Sequence, residues 1–191
     1  MDLATRTAAL AGSGDRHALA RFVQLTQADV WRLCAYLGRG FDPDDLTQET
    51  YERALASLPR FRGESSARTW LLGIARRVCA DHIRRAGRER AAVARLVDPT
   101  PMADPADSIA LQDLLAGLDD DRRAAFVLTQ IIGLAYVEAA EALGCPIGTI
   151  RSRVARARAE LLASVHGSGS GTGAWPRSGG TATASAVAAR R

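Results

Sequence analysis

From Tyr136 to Arg158 the chain reads YVEAAEALGCPIGTIRSRVARAR, and no other segment narrows its folding options as much. Ala140, Gly144 and Ile150 fall at the spacing of two helices crossing at a tight turn. A small residue lets them approach, a glycine makes the turn, and an apolar residue locks the second helix. Ile147, Ile150, Val154, Ala157 and Leu161 recur at helical period, which predicts a buried stripe along that second helix. Opposite the stripe lie Gly148, Ser152, Ala155 and Ala159, with Thr149 and Arg156 on one flank and Arg151 on the other. Such a face permits close approach to a DNA major groove, where the flanking Arg151 and Arg156 can reach bases or phosphates. Arg153 and Arg158 sit nearer the rim and suit phosphate contact. Duplex DNA is the partner this segment predicts.

The rest of the chain reads as helix as well. Leu19, Phe22, Val23, Val30, Leu33, Cys34 and Leu37 follow helical spacing after Asp15, and Gly38 with Gly40 stops the run. Asp42-Pro43-Asp44-Asp45 is a helix start, with Asp42 as N-cap, proline in the first turn and two acids at the positive end of the dipole. The helix it opens runs to Leu58, before Pro59. After the loop Phe61–Ser66, one helical face carries Leu71, Ile74, Ala75, Val78 and His82 to about Arg85. Gly73, Arg76, Arg77, Ala80 and Arg84 form the opposite face, which is basic and largely smooth. His82, on the apolar side, is expected to be a partly buried, hydrogen-bonded structural histidine. No strand-like alternation occurs, so the fold class is all-α.

Charge divides the chain. Nine arginines face three acids from Phe61 to Arg95, seven acids and no base follow from Leu96 to Asp121, and six arginines face three acids from Arg122 to His166. Two basic blocks separated by an acidic, proline-marked stretch predict two small helical domains joined by an extended acidic linker. The expected organisation is an N-terminal extension over 1–14, a first domain over 15–90, a linker over 91–107, a second domain over 108–166 and a disordered Gly/Ser/Thr/Ala tail over 167–191. All 25 cationic side chains are arginine, which GC-rich coding explains better than selection does, so their positions carry the argument. Cys34, Cys79 and Cys145 have unrelated spacings that fit neither a disulfide framework nor a four-ligand zinc site, and Cys34 reads as a core thiol. Cys79 and His82 lack further ligands nearby, so no metal and no cofactor are expected. No catalytic residues are expected either, because no nucleophile with its base and no phosphate-binding glycine loop is present. With no apolar run of about 18 residues and no signal-peptide core, a cytoplasmic protein without a membrane span is expected.

Four blocks, in order, resemble the extracytoplasmic-function (group IV) sigma factors of bacterial RNA polymerase. DDLTQETYERAL (Asp44 to Leu55) is similar to region 2.2 and FRGESSARTWLLGIARRVCADHIRR (Phe61 to Arg85) to regions 2.3 and 2.4. LDDDRRAAFVLTQIIGLAY (Leu118 to Tyr136) is similar to region 4.1, and the helix-turn-helix to region 4.2. The resemblance implies that Asp45, Leu46, Gln48 and Glu49 bind core RNA polymerase at the clamp helices of its β′ subunit. It implies that Arg62, Gly63, Glu64, Ser65, Ser66, Arg68, Thr69 and Trp70 capture a flipped base of the minus-10 element, with Arg76, Arg77 and Arg84 tracking the backbone. Thr149, Arg151, Ser152, Arg153, Ala155, Arg156 and Arg158 would then read the minus-35 element. Further implications are one copy per holoenzyme, contact with the β and β′ subunits, a cognate anti-sigma factor as regulator, and an acidic linker threading toward basic channels of the polymerase. A helix-turn-helix regulator that binds operators without polymerase is the alternative that the C-terminal block alone leaves open.

Overall fold

The computed structural model describes residues 1–93 and 109–168, and those residues form eight α-helices and no strand. They are α1 (Leu3–Gly12), α2 (Arg16–Leu37), α3 (Pro43–Ser57), α4 (Ala67–Val93), α5 (Ile109–Ala116), α6 (Asp120–Phe126), α7 (Tyr136–Leu143) and α8 (Ile147–Ser168). The expected linker falls mostly outside the described residues, as does the expected tail from 169 onward.

Local chemistry sets the helix ends. Asp15 caps α2 by accepting from the amides of His17 and Ala18 at 2.8 and 3.0 Å. Asp42 caps α3 by accepting from Asp44 N–H, with Pro43 in the first turn and Asp44 and Asp45 against the helix dipole. Asp119 does the same for α6, so the acids Asp119 to Asp121 begin a helix as well as ending an acidic run. Gly144 takes φ 62° at the turn between α7 and α8, a left-handed conformation that an L side chain adopts at a cost. One π-helical turn, Val127–Ile131, follows α6 and delivers the chain through Gly133 to the start of α7.

Two expectations change at the N-terminal side. The stretch 1–14 is not a mere extension: α1 packs on α2, α4 and the turn Leu58–Arg60, with Ala8 fully buried. And α4 continues past Arg85 to Val93, because AGRERAAV contains nothing that breaks a helix except the tolerated Gly87.

Phe22, Val30, Leu33, Leu46, Leu71, Leu72 and Val78 fill the N-terminal core among α2, α3 and α4. Cys34 and Cys79 are both buried there, as expected of Cys34, and the hydrogen bond between the two thiols together with burial pushes Cys79 far above the ordinary thiol range. Leu115, Val127, Leu128, Ile150, Val154 and Ala157 fill the C-terminal unit. The two cores are continuous rather than separate, because α4 packs directly on α7. Gly73 makes that approach possible: a Cβ there would sit 3.2 Å from the Ala142 carbonyl oxygen. Polar clasps flank the seam. Arg39 donates to the carbonyls of Ala116 and Leu118 at 3.0 and 3.1 Å, and Gln112 donates to Ala35 O at 3.3 Å.

Candidate nucleic-acid interface

In α8 the buried stripe forms at Ile150, Val154 and Ala157, with Leu161 half-buried, which seats the helix on α6 and α7. Ile147 departs from the expectation: at the first position of α8 it is 39% exposed, since the helix has not yet reached the core there. The outward face carries Gly148, Arg151, Ser152, Ala155, Arg156 and Ala159, all exposed, with Thr149 half-buried beside them. Ser152 Oγ donates to Thr149 O at 3.0 Å, so its proton is used locally while its lone pairs face outward. Neither Arg151 nor Arg156 takes part in any of the ion pairs among the described residues.

The two rim arginines differ from that pair. Arg153 is tied to Asp121 and to Cys145 Sγ, and Arg158 donates to Gln130 Oε1 at 2.6 Å. Phosphate contact by either side chain competes with these bonds.

The second group of expected DNA-binding residues spans the loop before α4 and its first turns. Arg62, Gly63 and Glu64 project into solvent, Gly63 at φ 70°, and Arg62 and Glu64 approach to 3.9 Å. Ser65 and Ser66 are half-buried; Ser66 Oγ accepts from Thr69 N–H at 3.0 Å and donates to Thr69 Oγ1 at 2.8 Å, closing the first turn of α4. Thr69 is therefore a cap partner buried in the fold and leaves the list of base contacts. Trp70 is half-buried with its ring centroid 5.0 Å from that of Phe61, a packing role that still leaves one edge outward.

The basic face of α4 is only partly free. Gly73 lies against α7, so that part of the expected smooth face is an internal seam. Arg68 donates to Asp29 at 2.7 Å and to the Ile132 carbonyl at 2.9 Å, and Arg76 reaches Asp121 at 3.5 Å. Arg77 remains exposed, and Arg84 donates to Asp81 at 2.5 Å. Asp121 thus holds one arginine from each expected DNA surface, a juxtaposition that no sequence pattern announced.

On α3 the expected polymerase contacts separate by face. Asp45 and Gln48 are exposed, with Gln48 donating to Glu52 Oε1 at 3.0 Å, and Glu49 is half-buried. Leu46 is 0% exposed and belongs to the core, so it supports the surface from beneath and cannot itself touch a partner. Glu49 accepts from His82 Nε2 at 2.6 Å and from Arg53, and the His82 hydrogen bond, aided by Arg53, holds its carboxyl below the usual range against the opposing effect of burial. His82 stacks edge-on to Phe41 at 5.1 Å, the structural role expected of it. Arg53 also bonds Asp81 at 2.7 Å, linking α3 to α4 beneath this acidic surface.

A helix-turn-helix with an arginine-bearing outer face, joined to a helical unit with an acidic helix and a basic one, is the architecture of a promoter-binding initiation factor. Residues 22–89 match the Sigma-70 region 2 family, and residues 108–161 match the family Sigma-70, region 4. The probable RNA polymerase sigma-C factor of Mycobacterium bovis is 49% identical over 166 residues, covering 83% of this chain and 89% of the relative. The ECF RNA polymerase sigma-E factor of Haemophilus influenzae is 31% identical over 76% of this chain and 86% of its own. Among solved structures, CnrH in complex with the cytosolic domain of CnrY superposes with a TM-score of 0.70 at 28% identity, over 87% of this chain and 99% of that one. The sigma factor RpoE of Bartonella quintana, in complex with the anti-sigma factor NepR, gives 0.69 at 28% identity, over 78% and 96%. The chain belongs to the ECF RNA polymerase sigma factors. Its work is promoter-specific transcription initiation by RNA polymerase. Among the described residues no helix is long and apolar enough to cross a membrane, and no group of three metal-ligating side chains converges.

Proposed function

We propose that this sigma factor acts through three surfaces. Asp45, Gln48 and Glu49 on α3 dock on the β′ clamp helices of core polymerase, one copy per holoenzyme, with further contacts to β. The outer face of α8 enters the major groove of the minus-35 element, Arg151 and Arg156 reading bases while Thr149, Ser152 and Ala155 allow close approach. The loop 62–66 with Trp70, Arg77 and Arg84 captures the non-template strand of the minus-10 element. Unstacking a base costs a few kcal/mol, which stacking and charge contacts offset, so the protein opens DNA by binding and not as an enzyme.

The observation that carries this reading is the outer face of α8: small residues and two arginines outside the ion pairs among the described residues, directly opposite a buried stripe, in the second helix of a helix-turn-helix. Arg68, Arg76 and Arg153 join the DNA-binding set only by exchanging Asp29, Ile132 O and Asp121 for phosphate. The solved relatives in complex with CnrY and NepR support a protein regulator of anti-sigma type, and the site of action is the cytoplasm, where polymerase and promoters are.

Run-off transcription on genomic promoter fragments, with bacterial core polymerase and the purified chain, tests the proposal. Discrete transcripts that require the chain are expected, and alignment of their start sites gives the promoter motif. DNA binding without initiation and without co-migration with core polymerase would overturn it in favour of an operator-binding regulator.

A further inference from the structure

The N-terminal helix α1 lies outside the Sigma-70 region 2 match, yet it reaches the point where the minus-10 loop turns into α4. Thr5, 4% exposed, accepts a buried hydrogen bond at 2.9 Å from the backbone amide of Ala67, the first residue of α4. That amide is one of the donors a helix start leaves without an internal partner. The Thr5 hydroxyl has a single proton, and it goes to Asp2 Oδ2 at 2.7 Å, which turns the oxygen lone pairs toward Ala67. Asp2 Oδ1 meanwhile accepts from Thr5 N–H at 2.8 Å, so one carboxylate both caps α1 and aims the hydroxyl. From the other side, Ser66 is fixed by Thr69 within α4. The C-terminal end of the loop 62–66 is therefore held both by α4 itself and by α1, through a bond between residues 62 apart in sequence, while its tip at Arg62, Gly63 and Glu64 stays exposed.

We propose that Thr5, aimed by Asp2, is a positioning residue for promoter opening. By fixing the Ser66–Ala67 junction it presets the shape of the loop on which the flipped minus-10 base is received. Preorganisation of this kind affects the capture step, since a loop that must first find its shape loses part of the binding free energy that offsets unstacking. The inference rests on the reading of the loop 62–66 as the base-capturing element.

The test uses holoenzyme assembled from the full chain, a promoter found by run-off transcription, and permanganate reactivity of unpaired thymines to follow opening. Thr5→Val keeps shape and removes the acceptor; Thr5→Ser restores it; Asp2→Ala, at an exposed position, frees the hydroxyl without touching the core. Thr5→Val is expected to assemble with core polymerase and bind minus-35 DNA as the parent does. It is expected to open duplex promoter about five-fold more slowly, and to discriminate less between the correct and a substituted minus-10 base. Thr5→Ser is expected to recover both, and Asp2→Ala to move in the same direction as Thr5→Val by a smaller factor. Thermal denaturation identifies a Thr5→Val chain that is unfolded at the assay temperature, in which case Asp2→Ala decides alone. Unchanged opening and minus-10 selectivity, or an equal loss of opening, core binding and minus-35 binding, overturns the inference. An Arg62→Ala, Glu64→Ala, Ser65→Ala chain separates the two readings. If it opens promoters normally, the loop assignment itself falls; if it fails to open them while Thr5→Val is normal, only the role of Thr5 falls.

Discussion

Arg123 is the largest side chain in the fully buried set, 1% exposed, and replacing it tests how the carbonyl end of α5, which Arg39 of the first unit also grips, is held. Its Nε donates to Leu115 O at 2.7 Å, and its Nη2 donates to Ala116 O at 3.0 Å and Leu118 O at 2.7 Å, so one guanidinium caps the carbonyl end of α5. Asp120 Oδ1 stands 3.7 Å from Nη1. Arg123→Met keeps most of the volume and removes every donor. The carbonyls are not wholly orphaned, because Arg39 also reaches Ala116 O and Leu118 O, and Leu118 N–H reaches Leu115 O. Three hydrogen bonds are therefore lost, each worth about 1 kcal/mol net, less than a bond to a charged group usually contributes because the carbonyls keep other partners. Relief from burying a charge returns part of that loss, which leaves a net destabilisation of about 2–3 kcal/mol. Urea unfolding followed by circular dichroism measures it, and the melting temperature should fall by about 5–10 °C for a chain of this size. Since Arg39 and Arg123 share two acceptors, the double variant Arg39→Ala, Arg123→Met should lose at least about 0.5 kcal/mol more than the sum of the single losses. A single variant within about 0.5 kcal/mol of the parent, or strict additivity, would refute the shared-cap argument.

Arg156→Ala and Arg151→Ala should each cost about 1–3 kcal/mol of minus-35 binding and relax preference at one base position, measured by competition with single-base promoter variants. Arg158→Ala should instead weaken binding to all sequences and lower the salt slope by about one. Asp121→Ala removes the acceptor shared by Arg76 and Arg153; a partly exposed ion pair of this kind is worth about 0.5–1 kcal/mol, so DNA affinity of the chain without polymerase should rise two- to five-fold in fluorescence anisotropy. On acidification, Glu49, held low by the hydrogen bond from His82 and by Arg53, and Asp81, held low by Arg53 and Arg84, should lose their contributions. Their folded pKa values lie below the unfolded ones, so this stability is complete above the ordinary carboxylate range near pH 4 and disappears as pH falls through the depressed values. Arg53→Met should flatten that part of the stability profile in acid titration.

Helix positions were legible in the sequence wherever a cap or a stripe acts over a few residues. Asp42 ends up as the N-cap read from its sequence, Gly144 as the left-handed turn, and Ile150, Val154 and Ala157 as the buried face of the recognition helix. The outer face of α8 follows from the same periodicity, because a helix that buries one stripe must present the other. The core role of Cys34 and the structural role of His82 were legible for the same reason. Leu46 was misplaced because a motif written along the chain merges side chains that a helix sends to opposite faces. Thr69 was misplaced because its hydroxyl could serve DNA or a helix cap, and only Ser66 beside it settles which.

The sequence by itself determined the all-α class, the two helical blocks, the helix-turn-helix and the identity of its exposed face, since all of these depend on interactions within a turn or two of helix. Contacts between distant segments belong to the tertiary structure. It decided that α1 is part of the first unit and reaches Ala67, that α4 meets α7 at Gly73, and that Asp121 holds both Arg76 and Arg153. A guanidinium or hydroxyl carries no local mark of which far-off carboxylate or amide it will meet. That choice is made only when apolar faces from the whole chain are buried together.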